Sequence, residues 1–551
     1  SEGDAHMIIE PKAQHGLARH LIVRIKGEKE DITFETPNVV VYSGISNEGV
    51  PGDLFSFATS YKVHDKAPIM FPRADYIVYE NKVIKRDNVG IILGQPKDDD
   101  NLKDLDLVFT ILTRDVSISY RRTLATILRI RELMRDDAIL YVSGHFKPES
   151  VPLLYYFGVD LVDDAFLINM PRGERIIQRL LKVSKIVRKL IDRRRLRDYL
   201  EIVARKSQYN ASLLKIGERE HYKELERGYP VLSEEKTLMT VFEEAILRPD
   251  VRRFTERIEK YYKPPRTKRV LLLIPCSHKK PYSKSKTHRA LKRALFTVKN
   301  KYAVHEVIVT SPLGAVPREL EYVYPAQNYD VPVTGSWSEE EVKLILRLLR
   351  SIVKKGNYDA ILAHVPEDYE FLSELGDVIF TAPPNRKITD DISLKLLANT
   401  LNETLESLEY VTREEYLKES AIGVLSYQFM DAYRNITFDS IRGRDLPNSR
   451  LFKGGFQVAS FDPRRGYYSL SMHGAMMLVR SKMFWVEIDD FVPKGSVFCA
   501  GIVDADERIR EGDEVVVLHE GELRAVGIAR LQGRILREAS RGLGIKVRHH
   551  V

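Results

Sequence analysis

Residues 274–288 read IPCSHKKPYSKSKTH and gather a cysteine, two histidines, four lysines, a tyrosine and three serines. Cys276 follows the apolar run VLLLIP and stands among cations, an environment that favours the thiolate. His278 or His288 offers a proton shuttle, Tyr282 a proton donor, and Lys279 or Lys280 a charge to steady a developing anion. A buried strand-end cysteine beside a solvated Lys/Ser loop is the plainer alternative. The density of reactive side chains where a strand runs into a helix favours a chemical site.

A second irregular stretch, SPLGAVPRELEYVYPAQNYDVPVTGSW at 311–337, carries Glu319, Glu321 and Asp330. Loops this long inside a compact domain are usually functional, and carboxylates beside a basic loop suit an amine-bearing substrate. By composition GVDLVDDAF at 158–166 reads as a turn, and KGGFQ at 453–457 as a Gly-Gly turn entering a strand.

The elements that must position these residues follow from hydrophobic periodicity. VLLLIP at 270–275, HEVIVTS at 305–311, DAILAHV at 359–365 and DVIFTA at 377–382 read as strands. HRALKRALFTVKN at 288–300 and EEEVKLILRLLRSIVKK at 339–355 read as helices. Their alternation predicts a three-layer α/β domain over 268–408, with ligands beyond the carboxyl ends of the strands, where Cys276 falls. Upstream, VVVY, GIILG, LVFTIL and AILYVSG alternate with a helical pattern around RRTLATILRIRELM, predicting a parallel sheet or partial barrel over 8–262. Residues 172–206 read as one long basic helix and KPPRTK at 263–268 as a linker. A small α+β domain is expected at 410–480 and a small β-barrel at 483–551. The fold class is thus α/β multidomain.

Two cysteines in 551 residues exclude a disulfide framework and a Cys-rich zinc site, and predict a reducing, cytoplasmic setting. No apolar run is long enough to cross a bilayer. The leading SEGDAHM reads as an added segment, placing the native start at Met7. The net charge of +8 is modest, but residues 172–206 alone hold 13 Lys/Arg against 4 Asp/Glu. Residues 260–305 hold 14 Lys/Arg and no acid. Two such runs point to a polyanionic partner, with nucleic acid the natural one.

The spacing Pro275-Cys276, Lys280-Pro281-Tyr282, Ser285, His288 resembles the signature of archaeosine synthases within the archaeal tRNA-guanine transglycosylase-like family. The 311–337 run is similar to the same domain in both enzymes, and the tail from GIVDADERIREGDEVVV onward resembles a PUA domain. The resemblance covers roughly 265–551. It implies a catalytic set of Cys276, Lys280, Tyr282, Ser285 and His288, with His278, Lys279, Ser311, Glu319, Glu321 and Asp330 around the substrate. The implied substrate is tRNA bearing 7-cyano-7-deazaguanine in its D-loop. An amine, from free L-lysine or otherwise from glutamine, adds across the nitrile to give an amidine. A radical-SAM partner then cleaves the lysine adduct. Tyr282 or His288 would be the acid, and Cys276 either attacks to form a thioimidate or only shapes the pocket.

GVDLVDD is similar to the segment holding the transglycosylase nucleophile, which would fall on Asp163. The downstream zinc motif is missing, so the N-terminal domain is implied to be a truncated TIM-barrel-like fold reused for binding, with Asp163 vestigial. Arg188, Lys189, Arg193, Arg194 and Arg195, with Lys546 and Arg548 in the tail, are the expected phosphate contacts. No metal is expected; a homodimer is admissible. Two other readings stand beside this one: a catalytically silent tRNA-binding subunit, and a residual transglycosylase.

Overall fold

The computed structural model describes residues 7–551 apart from 27–29, 47, 56–59, 63–67, 71–83, 87–88, 93–95, 98–100, 113, 168–169, 233–237, 240–242 and 331–335. The leading residues 1–6, the end of GIILG and the VPVTG of the 311–337 stretch therefore lie outside the described residues. Two compact units emerge, one of residues 1–230, 486–515 and 527–547, the other of 231–485, 516–526 and 548–551.

In the first unit, an antiparallel sheet of Met7–His15, Ala18–Ile25 and Ile32–Glu35 accompanies a seven-stranded sheet. The latter's order is Val50–Pro51, Asn38–Val41, Leu161–Asp163, Ile139–Gly144, Leu107–Leu112, Val89–Ile92, Ile84–Arg86. The first six are parallel neighbours. Pairing among the described residues does not join the two outer strands. LVFTIL and ILYVSG are buried at every position, the pattern of central strands covered on both faces.

The turn expected at GVDLVDDAF is instead a strand, Leu161–Asp163, because Leu161 and Val162 complete the core between two parallel neighbours. Asp163 is buried there, accepts from the Tyr141 hydroxyl at 2.8 Å, and burial raises its pKa to about 6. The basic stretch 172–206 is two helices, Gly173–Asp192 and Leu196–Ala204, not one. Arg194, at φ 55°, turns the chain between them.

In the second unit, the central sheet runs Gly314–Pro317, Val304–Thr310, Val270–Pro275, Ala360–Ala363, Val378–Phe380, parallel except for the first strand. Chain order along the four parallel strands is therefore second, first, third, fourth. The order reverses between Val270–Pro275 and Ala360–Ala363, where such sheets open a crevice for ligands. Helix Glu339–Lys355 starts on a Ser338/Glu341 capping box, carries three glutamates in its first turn and two lysines in its last, and buries Ile345, Leu348, Leu349 and Ile352.

KPPRTK is not a free linker. Lys263, Arg266 and Thr267 donate their backbone N–H to Ser426 and Glu419, and Lys268 is buried with its ammonium on Ser420. Helix Pro249–Lys260 belongs to this unit too, its end held by Lys355 Nζ on the carbonyls of Glu259 and Tyr262. Beyond it, helix Arg413–Phe429 packs with a four-stranded antiparallel sheet, Ser440–Arg442 to Tyr467–Leu470. KGGFQ forms the tight turn between two of its strands, with Gly454 and Gly455 at φ 55° and 84°. From Trp485 the chain forms a six-stranded sheet with one short helix, Gly533–Glu538. No helix among the described residues is long and apolar enough to cross a membrane.

Candidate functional site

Strand Val270–Pro275 delivers Cys276, half-buried, to the reversal point of the central sheet. From the next strand in space, the segment after Ala363 brings Tyr369 near Cys276, and burial, then the cysteine, raises the phenol above its ordinary pKa. Trp337 packs edge-on against Tyr369 at 4.9 Å and fixes its direction. Lys280 closes a third side, with Nζ 4.2 Å from the centre of the Tyr329 ring. Burial lowers the Lys280 pKa below the usual ammonium value, while Cys276 and Asp330 act in the opposite sense. Tyr282 and Tyr329 join hydroxyl to hydroxyl, and Tyr329 continues to Thr310 at 2.6 Å. Burial pushes both phenols well above the ordinary value, so this buried chain holds its protons across the physiological range.

The structure sorts the expected residues into three groups. Cys276, Lys280 and Tyr282 stand together, joined by Asp330 and by His278, whose Nδ1 is 3.5 Å from Asp330 on the exposed side. Lys279 points to solvent and contributes a carbonyl to Ser277. A second group builds the frame. Ser285 caps helix Lys286–Phe296 by accepting from the His288 N–H, and Ser311 hydrogen-bonds Glu341 of the long helix.

His288 is locked by both ring nitrogens. Nε2–H donates to the Pro275 carbonyl at 2.9 Å and Nδ1 accepts from Arg318 at 2.8 Å. Burial, then the Arg318 charge, lowers its pKa from 6.5 to about 3. It thus holds the strand end that carries Cys276 and has no proton to give at neutral pH. An unfolded chain protonates this histidine near 6.5 and the folded one does not, so stability is full above that pH and declines as pH falls toward 3. We expect His288→Asn to unfold more easily at neutral pH, yet to lack a slope of about 1.4 kcal/mol per pH unit that the unaltered protein shows in this window. Urea titrations at stepped pH measure it, and equal slopes would refute the assignment.

The third group lies elsewhere. Glu319 is sealed against His305 and Tyr262, and Glu321 accepts from the Ser283 N–H and Arg318. Of the three expected carboxylates only Asp330 faces the cysteine loop. Tyr329 and Tyr369 were not anticipated. Tyr329 immediately precedes Asp330, and Tyr369 follows the third parallel strand, where the reversal rule directs attention. An open cleft of about 460 Å³ runs beside Tyr369, lined by Glu367, Asp368, Glu370 and Arg386 among others.

The expected phosphate contacts divide as well. Lys189, Arg193 and Lys546 are exposed. Arg188 is packed inward on the Pro37 carbonyl, Arg194 pairs with Glu511, Arg195 with Asp198 at 2.7 Å, and Arg548 donates to the Leu470 carbonyl. Among the described residues no cluster of His, Cys, Asp and Glu is arranged to hold a metal ion.

A cysteine at the reversal point of an α/β sheet, on a chain ending in a six-stranded sheet with one short helix, defines a multidomain α/β protein with an appended β-domain. Residues 486–551 match the PUA domain, and 251–401 match a Domain of unknown function (DUF5591). The archaeosine synthase subunit alpha of Methanosarcina acetivorans is 34% identical over 78% of this chain and 77% of its own length. The archaeosine synthase of Haloferax volcanii is 33% identical over 77% of this chain and 78% of its own. A tRNA-guanine(15) transglycosylase of Methanothermobacter thermautotrophicus is 25% identical over 75% of this chain and 60% of its own. The chain belongs to the archaeosine synthase family.

Proposed function

We propose that this protein acts in archaeosine biosynthesis on tRNA, as the enzyme that adds an amine across the nitrile of 7-cyano-7-deazaguanine. The observation that carries the reading is Cys276, half-buried at the crevice and accompanied by the Lys280 ammonium, with Tyr369 close by. A nitrile carbon is a weak electrophile and needs a strong nucleophile, a proton for its nitrogen and close placement. The Cys276 sulfur bonds to the nitrile carbon, one C–N π bond breaks, and the nitrile nitrogen takes a proton, giving a thioimidate. Lys280, a weaker base in this setting than in water, supplies that proton, and Tyr369 orients the sulfur. The uncharged side-chain amine of lysine then attacks the same carbon. The C–S bond breaks, the amine proton returns to the departing side, and an amidine remains with no change in oxidation state.

The cleft lined by Glu367, Asp368 and Glu370, which flank Tyr369 in the chain, suits the α-ammonium of the lysine donor. The PUA domain and the exposed Lys189, Arg193 and Lys546 supply contacts to tRNA phosphates. A separate radical-SAM enzyme, acting in the same cytoplasm, would cleave the lysine adduct. We read the sequential parallel strands of the first unit as a truncated TIM-barrel-like domain, and take 8–262, 268–408, 410–480 and 483–551 as the evolutionary modules.

The test of the proton donor is a pair of substitutions. Lys280→Met is expected to slow nitrile consumption about 10²- to 10⁴-fold, the span of general acid catalysis. Lys280→Arg keeps the charge but holds its proton too tightly and is expected to recover little. Recovery by Arg would instead assign Lys280 a purely electrostatic role. A silent tRNA-binding subunit predicts that neither the unaltered chain nor its variants consume the nitrile.

A further inference from the structure

The second unit contains a cavity of about 240 Å³ that none of Cys276, Lys280, Tyr329 or Tyr369 lines. Helices Lys286–Phe296 and Arg413–Phe429 wall it, and the loop around Asp445 closes one end. Its floor is a charged network: Arg318 binds Glu306 at 2.7 Å, Glu321 at 3.3 Å and His288 at 2.8 Å. The guanidinium bonds only one oxygen of each glutamate. Among the described residues the other oxygen, Oε2 of Glu306 and Oε1 of Glu321, accepts no hydrogen bond. The hydroxyl of Tyr416 borders the same space and likewise makes no hydrogen bond to protein.

Such a floor asks for a ligand that presents adjacent N–H groups. The walls add aromatic surface, with Tyr302 and Tyr416 in contact at 5.3 Å and Tyr322 opposite the helices. At the mouth stand Lys292, Lys301 and Arg444 with Asp445, while Arg413 is held by the carbonyls of Gly443 and Arg444. A free amino acid brings one carboxylate and has little use for three cations and three phenols. A nucleotide matches all three layers: donor edge on the carboxylates, ring faces on aromatic walls, phosphates on the cationic rim. Among bases, guanine alone offers a ring N–H beside an exocyclic NH₂, which pairs with a carboxylate; adenine has an acceptor at the corresponding position.

We propose that this cavity is a second nucleotide site that takes an extruded guanosine of the RNA substrate, apart from the base that reacts at Cys276. The inference rests on the reading that the substrate is tRNA, but not on the chemistry assigned to the cysteine. Holding a neighbouring guanosine would keep the local RNA structure open while the modified base sits in the crevice.

The test is calorimetric titration of the full chain with GMP, AMP and lysine in turn. GMP is expected to bind, and AMP about tenfold more weakly, the discrimination typical of one lost bidentate base contact. Glu306→Gln, similar in shape to the native residue, should weaken GMP about tenfold by the same loss. Lys292→Ala, at the exposed rim, and Lys301→Ala, half-buried beside Phe296 and Tyr302, should weaken GMP and make its binding less sensitive to salt. Cys276→Ala should bind GMP as the unaltered chain does. The proposal is overturned if millimolar GMP does not bind, if AMP binds equally, if Cys276→Ala but not Glu306→Gln abolishes binding, or if lysine takes the Glu306-dependent site. Nitrile consumption is assayed separately, so failure here leaves the Cys276 reading standing, and the converse.

Discussion

Cys276→Ala is expected to consume the nitrile of the tRNA substrate about 10³-fold or more slowly than the unaltered enzyme, since removing a covalent nucleophile forfeits the whole two-step route. Cys276→Ser separates the two roles open to this residue. A hydroxyl fills nearly the same space, but at neutral pH it is a far poorer nucleophile than a thiol. If the sulfur bonds to substrate, serine should be almost as slow as alanine. If Cys276 only shapes the crevice, serine should retain most of the activity. Single-turnover kinetics, with tRNA binding measured in parallel, read this directly, because neither substitution touches the expected phosphate contacts.

The second large effect is on stability. Glu319 is 1% exposed and bonds Tyr262 and His305, with Lys268 nearby. Burial alone would raise its pKa, but His305, Lys268 and the Tyr262 hydroxyl outweigh that and hold it at about 2 against an ordinary 4.5. Glu319→Gln replaces the buried carboxylate that Tyr262 and His305 approach and that Lys268 attracts, and losing a hydrogen bond to a charged group costs about 1.5–3 kcal/mol. Because the folded pKa is depressed, the contribution is fully present above 4.5 and is lost as pH falls from 4.5 toward 2. The gap between variant and unaltered protein in urea unfolding should therefore narrow across that window. A gap that stays constant would show that Glu319 acts through packing alone.

Much of the central domain could be read from the chain because its strands are continuous apolar runs and its helices are strongly periodic. The helix read at 339–355 coincides with the observed Glu339–Lys355. The antiparallel strand Gly314–Pro317 escaped notice because four residues carry no period. KPPRTK looked like a linker since prolines and cations dominate it; its packing depends on Glu419 and Ser426, more than 150 residues away. The break at Arg194 was hidden because arginine carries no turn signal.

At the site, the strand end and its cations identified Cys276. The division of the motif was not legible. Lys280 and Tyr282 join the cysteine, whereas Ser285 and His288 hold the frame, a difference set by which way each residue leaves a loop. Glu319 and Glu321 had the right chemistry for an amine, but three-dimensional neighbours claimed both. Tyr369 comes from a segment nearly a hundred residues beyond the motif, and only the strand order brings it there.

The most direct test of the central claim follows one atom. The purified chain, unaltered and as Cys276→Ala, is incubated with nitrile-bearing tRNA and lysine labelled with ¹⁵N at its side-chain nitrogen. The tRNA is then digested and its nucleosides analysed by mass spectrometry. The account predicts that the deazaguanine nucleoside gains the full mass of labelled lysine in the unaltered protein and none in the variant. Loss of the base without label, or an unchanged nitrile in both proteins, would contradict it.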